Sequence, residues 1–160
     1  MQAPPEIIKA LNKMLFNELT AINQYFLHSR LLKHWGFAAL GEKIYHESIG
    51  EMKHADRLTE RILMLDGLPN FQDLGKLHIG ENVLETLNAD LTLETVARND
   101  TASAIELFER EKDFVSRDIA TKILVDSEEH IDYLETQLGL AQKMGEPNYL
   151  QSAAGEFDED

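Results

Sequence analysis

The stretch YHESIGEMKHADR, residues 45–57, decides the fold of this chain because it places polar residues at buried positions of a helical pattern. Ile44 and Leu58, on either side of the acidic part of the stretch, lie on one helix face when the spacing alternates between three and four residues. Glu51 and His54 occupy positions on that face where leucine would be expected. Because residues three apart project from the same side of a helix, the stretch predicts a helix with a carboxylate and an imidazole directed inward.

Glycine and proline are scarce in the chain, and they mark where helices are expected to begin and end. One segment extends from Gly41 to Gly67, and an earlier one extends from Pro5 to Gly36. The loop DGLPNFQDLGKLHIG, residues 66–80, follows the later of the two. No segment shows the period-two alternation of a half-buried strand, so helices are the elements that the pattern favours.

After Gly80 the chain contains neither glycine nor proline for 58 residues, until Gly139. A single helix of that length is too long for a compact domain, so we expect two helices joined by a turn near residues 110–113. A short apolar piece, NYLQSAA (148–154), and an acidic tail, GEFDED (155–160), complete the sequence. The tail is too polar to bury a core and is expected to be disordered.

Each of the four long segments carries an apolar seam with the alternating spacing of a helical bundle. Helices of this length are each ~45 Å long, and four of similar length favour an up-and-down bundle over a long solvated coiled coil. The fifteen-residue loop at 66–80 is long for a hairpin but sufficient for a crossover along the bundle. We therefore predict an all-α four-helix bundle whose second and third helices lie parallel.

Five polar residues interrupt the apolar seams: Glu18, Glu51, His54, Glu94 and His130. Each lies near the middle of its segment, so all five can meet at one level of the bundle. Burying an unpaired carboxylate costs several kcal/mol, and three would consume most of the ~5–15 kcal/mol of net stability of a domain. Because no inward lysine or arginine is expected nearby, a pair of divalent metal ions is the compensation that fits.

The glutamate and histidine of residues 45–57 match the Glu-x-x-His motif that ferritin-like di-metal proteins use twice, together with one glutamate from each remaining helix. Glu18 and Glu94 would be the single glutamates. The second motif is incomplete, because Ser127 stands three residues before His130. Mixed oxygen and imidazole ligands suit iron, manganese or zinc, and the pattern leaves the choice open. If the metal is iron, open positions on the two ions would allow O₂ or peroxide to bind, and oxidation of ferrous iron is then expected rather than hydrolysis.

Other polar residues near the seams have simpler interpretations. Glu47 is expected to be tolerated at the seam by local pairing. Tyr25 lies two helical turns from Glu18, and it is interpreted either as an electron donor or as a packing residue. Three histidines are expected at the surface or as helix caps: His28, His34 and His78.

The composition limits the partners and the compartment. The net charge is −14, from 29 acidic and 15 basic residues, which disfavours nucleic acid and anionic membrane as partners because both would be repelled. The chain has no cysteine, so thiolate metal sites and iron–sulfur clusters held by this chain are excluded, and a reducing compartment is the simplest interpretation. With no apolar run near the ~20 residues that span a bilayer, we expect a soluble cytoplasmic protein.

Six stretches resemble bacterioferritins, and together they cover essentially the whole chain in register. They are NELTAINQYFLHSR (17–30), YHESIGEMKHADR (45–57), ERILMLDGLPNFQDLGKLHIGE (60–81), DFVSRD (113–118), EEHIDYLETQLGL (128–140) and NYLQS (148–152). The resemblance implies one ferritin-like domain over residues 1–160, with a short fifth C-terminal helix near an inter-subunit axis. It also implies a shell of twenty-four subunits around an iron-mineral cavity.

The resemblance further implies a haem b at each two-fold interface. Met52 matches the haem ligand of the family, with the same residue of a second subunit on the other face of the haem. Two thioether ligands tune haem toward electron transfer. Family members receive these electrons from a small iron–sulfur (2Fe–2S) ferredoxin, and the electrons reduce stored ferric iron for release.

The di-iron ligands of the family match this sequence at all positions except one. The matching residues are Glu18, Glu51, His54, Glu94 and His130. Ser127 stands where the family carries a bridging glutamate, and Asp126, water or an anion is expected to take its place. An inner-surface iron site of the family maps onto His46, Gly50 and Asp126, and Gly50 lacks the usual acidic side chain.

Two functional hypotheses follow from these residues. The first is a haem-containing subunit that oxidises Fe²⁺ with O₂ or peroxide at the di-iron site and stores the Fe³⁺ mineral. The second is a haem-carrying structural and electron-transfer subunit with a defective ferroxidase site, which shares a mixed shell with a second bacterioferritin subunit. Ser127 and Gly50 favour the second hypothesis. A rubrerythrin-like peroxidase is disfavoured, because the cysteine ligands of a rubredoxin domain are absent from the sequence.

Overall fold

The computed structural model describes residues 1–157, and within that range all regular structure is α-helical. The helices are α1 (Pro5–His34), α2 (Ala38–Met64), α3 (Val83–Arg110), α4 (Phe114–Met144) and α5 (Glu146–Ala154). The all-α prediction is confirmed, including the short fifth helix. Of the tail predicted to be disordered, residues 155–157 are not helical, and residues 158–160 lie outside the described range. Among residues 1–157, no helix is both long and apolar enough to cross a membrane.

The directions of the helices follow from their connections and contacts. The turn at residues 35–37 is so short that α1 and α2 must be antiparallel. Between α1 and α3, Asn17 donates to Asp100 at 2.9 Å and Gln24 donates to Asp90 at 2.9 Å. Residue numbers therefore rise along α1 as they fall along α3. Since α2 and α3 are both antiparallel to α1, they are parallel to each other, as the long crossover loop predicts.

Two of the glycines that were expected to mark helix ends, Gly41 and Gly139, lie inside helices. The expected break at Gly139 is wrong, because α4 continues through it and ends at Gly145, where φ is 83°. A single glycine costs a helix only ~1 kcal/mol, which tertiary packing readily offsets. The start of α2 is Ala38 rather than Gly41. A Cβ atom at Gly41 would lie 2.8 Å from the carbonyl oxygen of Ser29, so this glycine lets α1 and α2 approach closely.

Two apolar clusters fill the bundle, one toward each end. Residues of the first include Ile7, Leu11, Leu15, Leu58, Ile62, Phe108 and Ile123. Residues of the second include Leu32, Leu40, Ile44, Leu87, Leu134 and Tyr149, so α5 covers that end through Tyr149. Most of these side chains are fully buried. The five polar residues singled out in the sequence lie between the two clusters along every helix, which places them at the mid-level of the bundle.

Side chains of α1 anchor the crossover loop. The backbone N–H of Gly80 donates to Nε2 of His28 at 3.0 Å, and Nδ1 of His28 donates to Asp90 at 2.8 Å. His28 is fully buried, so the expectation that it lies at the surface is wrong. Its ring is tolerated in the core because both nitrogens have partners. His34 and His78 are exposed, as expected.

Candidate metal centre

Four helices each contribute to one buried polar cluster at the middle of the bundle. Glu18 comes from α1, Glu51 and His54 from α2, Glu94 from α3, and His130 from α4. None of these residues is more than 8% exposed. Each helix brings its polar residue inward because the residues one turn away are apolar and pack into the core. The structure thus brings together all five residues predicted from the sequence.

One group of ligand atoms lies between α1 and α2. Nδ1 of His54 is 3.2 Å from Oε2 of Glu51 and 3.4 Å from Oε2 of Glu18. One atom from each of these three residues lies within 4.8 Å of the other two, which is close enough for all three to ligate one ion. Oε2 of Glu18 is buried without a hydrogen-bond partner. A bound cation would satisfy this oxygen.

A second group lies beside the first and shares Glu51 with it. One ligand atom each from Glu47, Glu51 and His130 lies within 4.8 Å of the other two. Nδ1 of His130 is 3.2 Å from Oε2 of Glu94 and 3.7 Å from Oε2 of Glu47. Glu47 has the local pairing expected of it, since Lys43 Nζ lies 3.1 Å from its Oε1. Its other oxygen nevertheless faces the cluster, which the expectation of local pairing alone did not include. The seam position of Glu47, one turn before Glu51, is the signal that could have revealed it.

Tyr25 adds a proton donor to the cluster. Its hydroxyl donates to Oε2 of Glu94, and its ring meets the ring of His130 edge-on at a centroid distance of 5.1 Å. The side chain is fully buried. Burial, followed by the negative charge of Glu94, raises the pKa of the Tyr25 hydroxyl well above its usual range, so the tyrosine stays protonated.

The electrostatics of the cluster show a deficit of positive charge. Burial, together with the nearby charge of Glu18, raises the pKa of Glu51 well above its usual range. Burial and the charge of Glu51 also raise the pKa of Glu94. Burial alone would lower the pKa of His54, but its interactions with the carboxylates of Glu18 and Glu51 outweigh burial and raise the pKa to about 11. Without a metal, the carboxylates therefore depend on protons, and metal ions fit the donor set better.

One inward arginine departs from the sequence-based expectation, but it does not reach the cluster. Arg61 is 7% exposed, and it donates to Oγ of Ser116 at 2.9 Å and to Oδ1 of Asp113 at 2.6 Å. These partners lie at the start of α4, almost two turns of α2 beyond His54. The guanidinium is therefore engaged at one end of the bundle and leaves the carboxylates of the cluster uncompensated.

Comparison with known proteins identifies the family. A family model for the ferritin-like domain matches residues 8–144. The bacterioferritin of Mycobacterium leprae is 46% identical over 149 residues, which are 93% of this chain and 94% of that protein. The bacterioferritin of Brucella melitensis is 46% identical over 159 residues, 99% of each chain, and that of Streptomyces coelicolor is 47% identical over 152 residues, 95% of this chain and 91% of that protein.

The chain belongs to the bacterioferritin family. Membership confirms the resemblance inferred from the six sequence stretches, and the helix order confirms the ferritin-like bundle. The chain departs at two positions from the residue pattern that the resemblance implies. Those positions are Ser127 and Gly50, and both lie near the cluster.

Ser127 is buried at the position that the resemblance assigns to a bridging glutamate. The residue is 2% exposed, so its side chain faces the bundle interior. A hydroxymethyl group is too short and carries no charge, so it cannot bridge two metal ions as a carboxylate does. The cluster in this chain therefore contains one carboxylate fewer from α4 than the resemblance implies.

Asp126 does not enter the space that Ser127 leaves. Its Oδ2 lies 2.7 Å from Nε2 of His54, on the opposite side of the ring from the nitrogen that faces Glu18. A carboxylate on the distal nitrogen of a ligating histidine fixes the orientation of the ring and raises its basicity. Asp126 is thus placed to orient His54, and its side chain is 58% exposed.

A small cavity connects the cluster with the surface. It has a volume of about 190 Å³ and is lined by Lys43, Gly50, Asp126 and Glu129 in addition to cluster residues. Gly50 has open space where a side chain would project. His46, which the resemblance pairs with positions 50 and 126, is exposed and lies 3.7 Å from Glu42. The cavity would admit a small cation to the cluster past Gly50 and Asp126.

Proposed function

We propose that this chain is a bacterioferritin subunit that oxidises Fe²⁺ at an intrabundle di-iron site and stores the Fe³⁺ mineral in a shell of twenty-four subunits. Membership of the bacterioferritin family supports iron storage. The observation that carries the proposal is the convergence of Glu18, Glu51, His54, Glu94 and His130, each buried, at one level of the bundle. Their oxygen and imidazole donors suit Fe²⁺.

In the proposed reaction, two iron ions per turnover supply the two electrons that the oxidant accepts. Each Fe²⁺ substrate ion gives up one electron, and O₂ accepts both electrons with two protons to form hydrogen peroxide. Where peroxide is the oxidant, it accepts two electrons and two protons and forms two water molecules. A site that holds two ions close together supplies both electrons at once, and Glu51 is the residue placed to touch both ions.

The protein residues around the ions have separate roles in this proposal. Glu18 and His54 hold the first ion, Glu94 and His130 hold the second, and Glu51 lies between them. Asp126 keeps the ring of His54 in its ligating orientation. Tyr25 donates to Glu94 and so keeps one oxygen of that carboxylate occupied. We also keep the interpretation of Tyr25 as an electron donor in the proposal.

A haem b held between two subunits by paired Met52 side chains is the second part of the proposal. Met52 is 52% exposed, whereas its neighbour Glu51 is buried, so its thioether lies on the outer side of α2 where a second subunit can reach it. Phe26, also exposed, offers apolar surface on α1. Haem would provide a path for electrons from a small iron–sulfur ferredoxin to stored Fe³⁺. The cytoplasmic location and the absence of nucleic-acid and membrane partners stay predictions from composition.

Ser127 favours a second candidate function. In this alternative the chain carries haem and shell contacts but oxidises iron poorly, and a second bacterioferritin subunit with an intact site supplies oxidation in a mixed shell. The supporting observation is that position 127, where the resemblance implies a bridging glutamate, is buried and carries no charge.

Iron loading of shells made from this chain alone separates the two candidates. The purified protein is first sized by light scattering, with an expected mass of twenty-four times 18.2 kDa. It is then given Fe²⁺ under air in successive additions, and iron retained per shell is counted after gel filtration. Retention of hundreds of ions per shell supports the first candidate. Shells that form but retain no more iron than the Glu18→Ala variant support the second.

A further inference from the structure

We propose that Glu47 supplies the carboxylate missing at position 127 and ligates the second metal ion together with Glu51 and His130. This inference rests on the proposed di-metal site and assigns one more ligand to it. The proposed ligands of the second ion are Glu51, Glu94 and His130, and the resemblance implies a bridging glutamate at position 127. This chain has a serine at that position, while a carboxylate from α2 faces the same histidine.

The geometry of α2 directs Glu47 into the site. Glu47 precedes Glu51 by four residues, so both side chains project from one face of the helix. Oε2 of Glu47 is 3.7 Å from Nδ1 of His130, and it forms a group with Glu51 and His130 in which all ligand atoms lie within 4.8 Å of one another. Distances of this size between ligands are those expected around a single ion with metal–ligand bonds of about 2.0–2.2 Å.

Ser127 and Asp126, the two other residues that could replace the missing bridging glutamate, are less well placed to do so. Ser127 is neutral and short. Oδ2 of Asp126 lies 2.7 Å from Nε2 of His54. This nitrogen is on the side of the ring away from Glu18 and Glu51. Glu47 is therefore the one additional carboxylate, among the described residues, that shares a ligand group with both Glu51 and His130.

Lys43 explains how Glu47 keeps one oxygen available. The ammonium of Lys43 lies 3.1 Å from Oε1 of Glu47 and 4.9 Å from the centre of the Tyr133 ring. Because Oε1 accepts from the ammonium, Oε2 is turned toward His130. The pair leaves Glu47 partly exposed, with a side-chain exposure of 22%, at the wall of the small cavity that reaches the cluster.

Calorimetric titration of the metal-free assembled protein with Co²⁺ tests the inference without relying on oxidation. The wild type is expected to bind two Co²⁺ per subunit. Glu47→Gln keeps the size of the side chain and removes its charge, and it should weaken the second equivalent at least tenfold while leaving the first within a factor of about two. Glu60→Gln, an exposed glutamate on the same helix, is the matched control and should behave as wild type.

A rescue variant separates ligation from a structural effect. Ser127→Glu in the Glu47→Gln background restores a carboxylate to the second metal position from α4, and it should recover most of the lost affinity. The visible absorption of bound Co²⁺ should change in Glu47→Gln, because its ligand set changes, and return toward wild type in the rescued protein. A merely structural role of Glu47 would not be restored from position 127.

The outcomes distinguish this inference from the proposed function. Wild type binding fewer than two Co²⁺ per subunit overturns the di-metal site and the role of Glu47 with it. Wild type binding two, with Glu47→Gln binding two at unchanged affinity and with an unchanged spectrum, overturns the role of Glu47 alone. Loss of the second equivalent in Glu47→Gln, with recovery on adding Ser127→Glu, supports it.

Discussion

Nε2 of His54 lies 2.7 Å from Oδ2 of Asp126, while Nδ1 of the same ring faces Glu18 and Glu51. The imidazole is therefore held from both sides, by one carboxylate outside the cluster and by two inside it. A ligating histidine held in this way keeps one ring orientation, and its ligating nitrogen is more basic. In the proposed di-metal site, Asp126 would thus act on the first metal position through His54 without touching the ion.

Removing the Asp126 carboxylate should weaken metal binding at the first position. We expect Asp126→Ala to raise the dissociation constant of the first Co²⁺ by ~10–100-fold, as is typical when the outer partner of a ligating histidine is lost. Calorimetric titration of the metal-free protein measures this change. Asp132→Ala, an exposed residue of the same helix, should have no effect. Wild-type affinity in Asp126→Ala would show that the contact with His54 is not needed for ligation.

Metal ions should stabilise the folded bundle. A ligand that binds only the folded state adds ~2.7 kcal/mol when its concentration is one hundred times the dissociation constant. Excess Zn²⁺ at neutral pH should accordingly raise the melting temperature in scanning calorimetry. The double variant His54→Ala with His130→Ala, which removes both imidazole ligands, should lose most of the increase. If the increase persists in the double variant, the stabilising ions bind elsewhere.

The ion pair between Arg61 and Asp113, at the start of α4, should make the free energy of unfolding depend on pH. Burial alone would raise the pKa of Asp113, but hydrogen bonds from Ser116 and Arg61 outweigh burial and hold the pKa below its ordinary 3.8. A carboxyl group whose pKa is lowered by folding stabilises the protein above its ordinary pKa, and the contribution is lost as the pH falls through the folded value. The side chain of Asp113 is 13% exposed, so solvent screens part of this contribution.

Asp113→Asn should separate the charge from the helix cap, because asparagine also caps helices well. We expect it to lower the free energy of unfolding by ~1.5–3 kcal/mol near neutral pH, as for hydrogen bonds to charged groups. The difference from wild type should shrink when thermal unfolding is measured below the ordinary pKa of 3.8. Asp118→Asn, whose exposed ion pair with Lys122 is at 3.2 Å, is the control. A difference that does not depend on pH would contradict the assignment to the Arg61 pair.

Most of the fold could be predicted from the spacing of apolar residues, because burial of a helix face leaves a regular trace in the sequence. The turn at residues 110–113 could be located from helix length alone. Gly139 could not be assigned correctly, since the penalty of one glycine is smaller than the packing of the residues around it. The burial of His28 was also beyond the pattern, because it depends on Gly80 and Asp90, which come from a loop and a distant helix.

The candidate site also has residues that could be predicted from the sequence and residues that could not. Its five central residues could be identified because each replaces an apolar residue at one level of a helical seam. The roles of Asp126 and Glu47 could not be assigned, because both depend on which side of a histidine ring a carboxylate approaches. Helical spacing gives the face on which a side chain lies, but it does not give the position of an oxygen atom relative to a ring nitrogen.

Haem binding is expected to depend on Met52. Met52→Leu removes the thioether sulfur and nearly keeps the volume of the side chain, so the bundle and its assembly should be retained. We expect the haem absorption bands to be lost from the purified protein while its size in gel filtration is unchanged. Met64→Leu, another exposed methionine of α2, should keep the bands. Normal haem spectra in Met52→Leu would rule out this residue as the ligand.

Stopped-flow oxidation of Fe²⁺ under air tests the central claim, that the buried cluster is a di-iron ferroxidase site. The account predicts an oxidation phase in the wild type whose amplitude saturates at two Fe²⁺ per subunit and which is abolished by Glu18→Ala. Ser127→Glu adds a second bridging carboxylate, so it should accelerate this phase without changing its amplitude. An amplitude that does not saturate at two Fe²⁺ per subunit, or a phase that survives Glu18→Ala, would contradict the account.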